Sequence, residues 1–371
     1  MIPFLDLRAQ YRSIGPQLEE AVIAAMRDCN FVLGDKVDHF ETSFASYCRT
    51  DYSVAVNSGT SALHLALLAA GIGPGDEVIT VPMTFVATTA AIVYAGATPV
   101  FVDIDPVTWT MNPELIAEKV TNRTKAIMPV HFHGRLADMT SICAAARRFG
   151  LLVIEDAAQA HGAERDGTRA GAFGDIGCFS FYPGKNLGAC GEGGAITTNR
   201  SDFASVVRSL RDWGQEGKYN HVRHGFNFRM DAVQGAALGV KLPLLNAWNT
   251  ERRRIANLYN SGLFGDLTLP AGPFGRDHAC HVYAVRLDDR EQVRAALHNA
   301  GVATNIHYPV PVHLQPAYAG LGYNAGDFPV SEALARETLS LPLFPELPDR
   351  NVAKIIAALN DATAQCLAKT A

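Results

Sequence analysis

Between residues 53 and 198, short unbroken apolar runs alternate with segments of helix length. The runs are Ser53–Val56, Val78–Val81, Thr98–Val102, Ala126–Val130, Leu151–Ile154, Ile176–Phe181 and Ala195–Thr198. Between several of them lie Thr60–Ala70, Thr84–Tyr94, Pro113–Val120 and Leu136–Phe149, each expected to be helical. Strands that are short and apolar throughout belong to a mostly parallel sheet buried on both faces. Their alternation with helices predicts an α/β domain of three layers. In such open sheets a ligand sits outside the carboxyl ends of the strands. The residues that follow each run therefore carry the most information.

Ahead of this unit, residues 1–50 are expected to hold an arm and a helix. Pro16 to Cys29 places Leu18, Val22, Ile23 and Met26 at helical spacing. The arm, Pro3-Phe4-Leu5-Asp6-Leu7, is too short to fold alone and should lie across another surface. The chain has 371 residues, room for two to three domain-sized units or one large and one small. A net charge of -5 and no dense Lys/Arg cluster argue against nucleic acid. No apolar stretch approaches the roughly 18 residues of a membrane span, and the N-terminus has no signal-peptide core. Seven cysteines without a C-x-x-C pattern point to reduced thiols and a cytoplasmic protein.

The stretch Ser180–Gly194 (S-F-Y-P-G-K-N-L-G-A-C-G-E-G-G) sets Lys185 among Gly184, Gly188, Ala189, Gly191, Gly193 and Gly194. It is not a P-loop, because Phe179 and Asn186 stand where that motif needs Gly and Ser or Thr. Gly71 to Gly75 lacks the G-x-G-x-x-G spacing and reads as a helix end with a turn. Two readings fit Lys185: a loop lysine in a Gly-rich turn, or an amine made nucleophilic by desolvation. Asn57 to His64 opens a helix where Gly59 and Thr60 would present N–H groups to an anion; an ordinary Ser/Thr cap is the commoner use of this pattern. Phe85 is either core or a face for an aromatic ring. Asp156, in Glu155-Asp156, falls where a strand ends. The adjacent acids raise the thought of a metal, but no matching ligand cluster accompanies them. His131 and His133 share one face if they lie on a strand, and two histidines without a third ligand are usually structural. A ligand with a phosphate, a basic ring nitrogen and an aldehyde suits the anion site, Asp156 and Lys185 together. Pyridoxal phosphate has all three, and a carboxylate beside its ring nitrogen keeps that nitrogen protonated.

N-S-G-T-S-A-L, V-I-E-D-A-A-Q-A-H-G, C-F-S-F-Y-P-G-K-N-L-G-A-C-G-E-G-G-A-I and G-F-N-F-R-M-D-A-V-Q resemble motifs of the DegT/DnrJ/StrS sugar-nucleotide aminotransferases. The likeness runs from Pro3 to the Leu341–Leu343 region. It implies the aspartate aminotransferase-like fold type I: an α/β/α large domain (1–245) with a mostly parallel seven-stranded sheet, and a smaller α+β domain (246–371). Within these, Asp231–Leu245 and Trp248–Leu263 read as helices, the second carrying Arg252-Arg253-Arg254. His281–Leu287 and Thr304–His307 read as strands. By the same resemblance Lys185 is the Schiff-base lysine, holding the cofactor as an internal aldimine, and pyridoxamine phosphate is the intermediate form. Asp156 partners the ring nitrogen, Gln159 the ring hydroxyl, and Phe85 covers the ring. Gly59, Thr60 and Ser180 hold the phosphate. Asn227 reaches it from the partner of a homodimer with shared active sites.

Candidate substrate contacts are Arg229, Tyr182, Lys218, Tyr219, His307 and Tyr308. The last two open a Pro-rich segment, His307 to Tyr318, expected to be an extended loop lying over a sugar or nucleotide; without the resemblance a stiff surface connection fits equally. The implied reaction moves the amino group of L-glutamate to a dTDP- or UDP-linked keto-sugar. The opening P-F-L-D-L-R-A-Q-Y and the Pro-rich segment look most like members acting at C3, with C4 as the runner-up. A sugar dehydratase on this fold would replace Lys185, typically by histidine. A cofactor-binding regulator would need a DNA-binding extension, and none is visible.

Overall fold

The computed structural model describes residues 1–370, with side chains through residue 365. The first 50 residues form two helices rather than one. Helix α1 spans Leu7–Arg27, so it starts nine residues before the expected Pro16, and that proline lies inside it. The start is set by Asp6, whose carboxylate accepts the Ala9 N–H at 3.0 Å as an N-cap. Helix α2, Asp35–Cys48, was not expected; it buries Val37, Phe40, Phe44 and Cys48 at helical spacing. The arm before α1 does lie across another surface, the chain's own C-terminal part. Ile2 donates to the Gly301 carbonyl and accepts from the Ala303 N–H.

The alternating unit follows in chain order: β1 (Tyr52–Val56), α3 (Gly59–Ala69), β2 (Glu77–Thr80), α4 (Ala87–Tyr94), β3 (Thr98–Phe101), α5 (Ile116–Lys119), β4 (Thr124–Ile127), α6 (Met139–Phe149) and β5 (Leu152–Asp156). A two-stranded ribbon, β6 (Glu164–Arg165) and β7 (Thr168–Arg169), precedes β8 (Ile176–Ser180) and β9 (Gly194–Thr198). Seven strands form one sheet in the order β1-β9-β8-β5-β4-β2-β3. Only β9 runs against the others. Each of the seven strands expected in this unit is present. The segment Pro113–Val120 is instead a 3-10 turn, Pro113–Leu115, leading into the single turn of α5.

Both faces of the sheet are covered, as its uninterrupted apolar runs require. Val54 and Val56 of β1 pack with Leu65 and Leu67 of α3. Ala55 between them points the other way, into Phe40 and Phe44 of α2. Glu41 of α2 is buried among these residues. It accepts the Ala55 N–H at 2.8 Å and pairs with buried Arg211 of α7 (Ser201–Arg211).

The remaining elements are α8 (Ala232–Lys241), α9 (Leu245–Gly262), β10 (Tyr283–Arg286), α10 (Arg290–Asn299), α11 (Pro329–Glu337), β11 (Thr338–Leu341) and α12 (Asp349–Thr370). The strand read at His281–Leu287 is β10, and it pairs antiparallel with β11. Thr304–His307 is not a strand. Only Asn305 pairs there, exchanging both backbone bonds with Ser340. A separate core gathers Tyr259, Tyr283, Val285, Leu339, Leu341 and Ile355. The Pro-rich segment is not extended throughout: after Pro311 it folds into 3-10 turns at Val312–Leu314 and Pro316–Leu321.

Candidate active site

The carboxyl ends of β1, β5 and β8 meet at a cavity of about 620 Å³. The two acids that close β5 part company there, because neighbours on a strand face opposite sides. Glu155 turns inward and is fully buried. It accepts N–H groups from Gly171, Phe173 and Gly174 at 2.7–2.8 Å and meets His131 Nε2 at 2.9 Å. His131 Nδ1 accepts the Ala137 N–H, so Nε2 carries the proton and donates to Glu155. This acid ties down the loop that leads into β8. His131 and His133 do not lie on a strand; residues Phe132–Gly134 form a 3-10 turn, and His131 serves Glu155 instead.

Asp156 turns toward the cavity. Its Oδ2 accepts from Thr88 Oγ1 at 2.7 Å and its Oδ1 from the Ala158 N–H at 3.2 Å. Thr88 has one hydroxyl proton. With it given to the carboxylate, Thr84 at 2.7 Å must donate to Thr88. Burial pushes the Asp156 carboxyl up, and Thr88, Ala158, Lys185 and His131 each work against that rise.

Lys185 sits in the loop after β8, its amide bonded to the Tyr182 carbonyl at 2.8 Å. Protein surrounds the side chain, although it keeps accessible surface toward the cavity. Burial pushes its amine down to about 8 and the Asp156 carboxylate opposes this. Asn186 anchors the loop: its Nδ2 donates to Asn249 Oδ1 on α9 and to the Ala279 carbonyl at 2.7–2.8 Å. Its Oδ1 therefore accepts, so His281 Nδ1 is the protonated nitrogen at 3.2 Å. Gly188 turns the loop back so closely that a Cβ there would stand 2.4 Å from the Pro183 carbonyl oxygen.

Opposite lies the start of α3. Ser58 caps it, its Oγ accepting the Ser61 N–H at 3.0 Å. The first N–H groups of a helix have no partner within it and favour an anion. Gly59 brings this end against β8: a Cβ added to it would stand 2.6 Å from the Ser180 Cβ. Gly59, Thr60 and Ser180 all line the cavity.

Gln159 accepts the His133 N–H at 2.7 Å and donates to the Tyr308 hydroxyl at 3.3 Å. The Phe85 ring stands 5.6 Å from that of Tyr308. Phe85 precedes α4 rather than opening it, and it is 52% exposed. His307 bonds Ser340 Oγ at 2.9 Å; burial first, then the Lys185 charge, pushes it down to about 4. Tyr182 lines the same cavity. Within this chain, Asn227, Arg229, Lys218 and Tyr219 do not reach it. Arg229 instead binds Asn227 Oδ1 at 3.0 Å and Asp212 at 3.1 Å, and Tyr219 is 79% exposed. Cavity residues that sequence reasoning passed over include Thr84, Phe4, His281 and Arg252.

A carboxylate, an amine without a hydrogen-bond partner among the described residues, and a helix N-terminus thus face one space. The donor set fits pyridoxal phosphate: Asp156 for the ring nitrogen, Lys185 for the aldehyde, Gly59 and Thr60 for the phosphate. The unsubstituted Gly59 leaves the helix end open to that phosphate.

The model of the DegT/DnrJ/EryC1/StrS aminotransferase family matches residues 12–360. A pleiotropic regulatory protein of Geobacillus stearothermophilus is 46% identical over 352 residues, covering 94% of this chain and 95% of the relative. The dTDP-3-amino-3,4,6-trideoxy-alpha-D-glucose transaminase of Streptomyces venezuelae is 43% identical over 362 residues, 97% and 96% of the two chains. The crystal structure of S. venezuelae DesV with a ketimine intermediate superposes with a TM-score of 0.95 at 43% identity, over 98% of each chain.

Proposed function

The chain belongs to the DegT/DnrJ/EryC1/StrS aminotransferase family, and we propose that it moves the amino group of L-glutamate to C3 of a nucleotide-linked keto-sugar. It is a pyridoxal-phosphate-dependent aminotransferase of fold type I. The observation that carries the reading is Lys185, an amine without a hydrogen bond among the described residues, lining one cavity with Asp156. The dTDP-3-amino sugar named for the Streptomyces relative supports C3 and dTDP. A UDP-linked 3-keto sugar is the second reading, supported by the Acidithiobacillus ferrooxidans UDP-N-acetyl-3-dehydro-alpha-D-glucosamine 3-aminotransferase, 44% identical over 359 residues.

When bound, the cofactor supplies the electron sink that makes an amino acid Cα–H acidic. The protein's part is proton handling and orientation. With its amine near 8, Lys185 is partly neutral around neutral pH, so Nζ can take a proton from one carbon and return it to another. Asp156 lines the same cavity, and the Thr88 and Ala158 donors favour its charged form. Gln159 and Tyr308 brace one side of the cavity through their shared bond. Gly59 and Thr60 orient the phosphate, and in a homodimer Asn227 of a second copy would add to that grip. A dehydratase would not need the lysine. The regulatory name of the Geobacillus relative does not call for these groups, whereas amino transfer uses each of them.

The test is to incubate the enzyme with L-glutamate and dTDP- or UDP-linked 3-keto and 4-keto sugars. The expected result is 2-oxoglutarate together with a sugar aminated at C3. Amination at C4, or turnover of no keto-sugar nucleotide, would reject the proposal.

A further inference from the structure

Arg252 on α9 is a cation buried in the wall of the same cavity, only 4% exposed. Its Nη1 donates to the Leu343 carbonyl at 2.8 Å and to those of Cys280 and His281 at 3.4 Å. Among the described residues neither the buried Nε nor Nη2 has an acceptor. No carboxylate lies within ion-pair distance of it among those residues. Glu346 acts on it from farther away, and burial pushes that carboxyl up. A buried charge without a partner is costly and is kept where something completes it.

We propose that Arg252 receives an oxyanion of a substrate: a carboxylate of the amino donor or a phosphate of the sugar nucleotide. The inference rests on the aminotransferase reading of the site. Among the residues lining the cavity, Lys185 and Arg252 are the only Lys or Arg. Lys185 is committed to chemistry, and the end of α3 to the cofactor's phosphate. His281 and His307 are held neutral by burial, and the charges of Lys185 and Arg252 both bear on His281. Arg252 is thus the one permanent cation left in this wall for a second anion. It stays charged, since burial lowers its guanidinium only to about 10. Its fork of N–H groups matches two oxygens of a carboxylate or phosphate.

The test uses holoenzyme of the wild type, Arg252→Gln and Arg252→Lys. Binding of succinate and of dTDP is measured by calorimetry, alongside Tm and the spectral change on adding L-glutamate. Arg252→Lys keeps a charge and donors for the carbonyls, so it guards against simple misfolding. The proposal expects both variants to bind one probe about tenfold to a hundredfold more weakly, the loss of one charge-assisted hydrogen bond, while the other probe is unaffected. Loss for succinate assigns the donor carboxylate; loss for dTDP assigns the nucleotide phosphate. Wild-type affinity for both probes in either folded variant overturns the proposal. Equal loss for both with a large fall in Tm marks Arg252 as a clamp on its three carbonyls and also overturns it. Failure of the aminotransferase reading shows separately, as wild-type holoenzyme whose cofactor spectrum does not respond to glutamate.

Discussion

Replacing Gly59 with alanine sets two effects of opposite sign against each other. Helix propensity alone favours alanine over glycine by up to about 1 kcal/mol. The structure predicts the reverse. The added Cβ would stand 2.6 Å from the Ser180 Cβ, 3.1 Å from its Cα and 3.2 Å from its Oγ. Carbon atoms in contact prefer about 3.5–4.0 Å, so roughly 1 Å must open between the start of α3 and the end of β8. The atoms in the way are backbone and a short side chain, which cannot swing aside. Overpacking of this kind costs about 1–3 kcal/mol. The displaced helix end also misdirects its N–H groups. Losing one charge-assisted hydrogen bond to the phosphate would weaken cofactor binding by about tenfold to a hundredfold. Tm with and without added cofactor, and fluorescence titration of the apoenzyme, measure the two effects separately. A Gly59→Ala protein with an equal or higher Tm and wild-type cofactor affinity would refute the close approach as the reason for glycine here.

Two other predictions concern proton balance. Thr88→Val removes a donor that holds the Asp156 carboxyl down, so the acidic limb of the activity profile should move to higher pH, and Thr88→Ser should move it back; an unmoved limb would contradict the coupling. Burial pushes His133 and His161 down to about 3, whereas an unfolded histidine titrates near 6.5. Their stabilisation is complete above about pH 6.5 and is lost as pH falls toward 3, because the unfolded chain then binds more protons, by about 1.4 kcal/mol per pH unit for each histidine. Urea unfolding between pH 6 and pH 5 should show a slope shallower by about that amount in His161→Leu; an unchanged slope would mean that His161 is not the neutral buried group described.

The parts legible in the sequence were those encoded locally. The seven strands announce themselves because most of them are buried on both faces and so read as unbroken apolar runs, and the Lys185 loop because small residues allow its close turns. What escaped reading depends on partners far along the chain. Helix α2 carries Glu41 on its buried face, which breaks the apolar stripe; the acid is tolerated because Arg211 meets it from 170 residues away. Glu155 and Asp156 are chemically alike, and only the direction of each side chain at the end of β5 makes one a loop anchor and the other a cavity acid. Thr88 looks like any threonine of a helix until Asp156 is placed beside it. In the sequence Arg252 is one of three consecutive arginines on a helix, and the carbonyls that single it out come from Cys280, His281 and Leu343. Lys218 and Tyr219 stay outside the cavity lining, and within a single chain nothing draws them to it.

The chemistry of the site depends on which amine holds the cofactor. Borohydride reduction of the holoenzyme, followed by proteolysis and mass mapping, would mark that amine covalently. The expected result is the added pyridoxyl mass on the peptide containing Lys185 and its disappearance in Lys185→Ala. A label on a different lysine, or a Lys185→Ala protein labelled to the same extent, would contradict it.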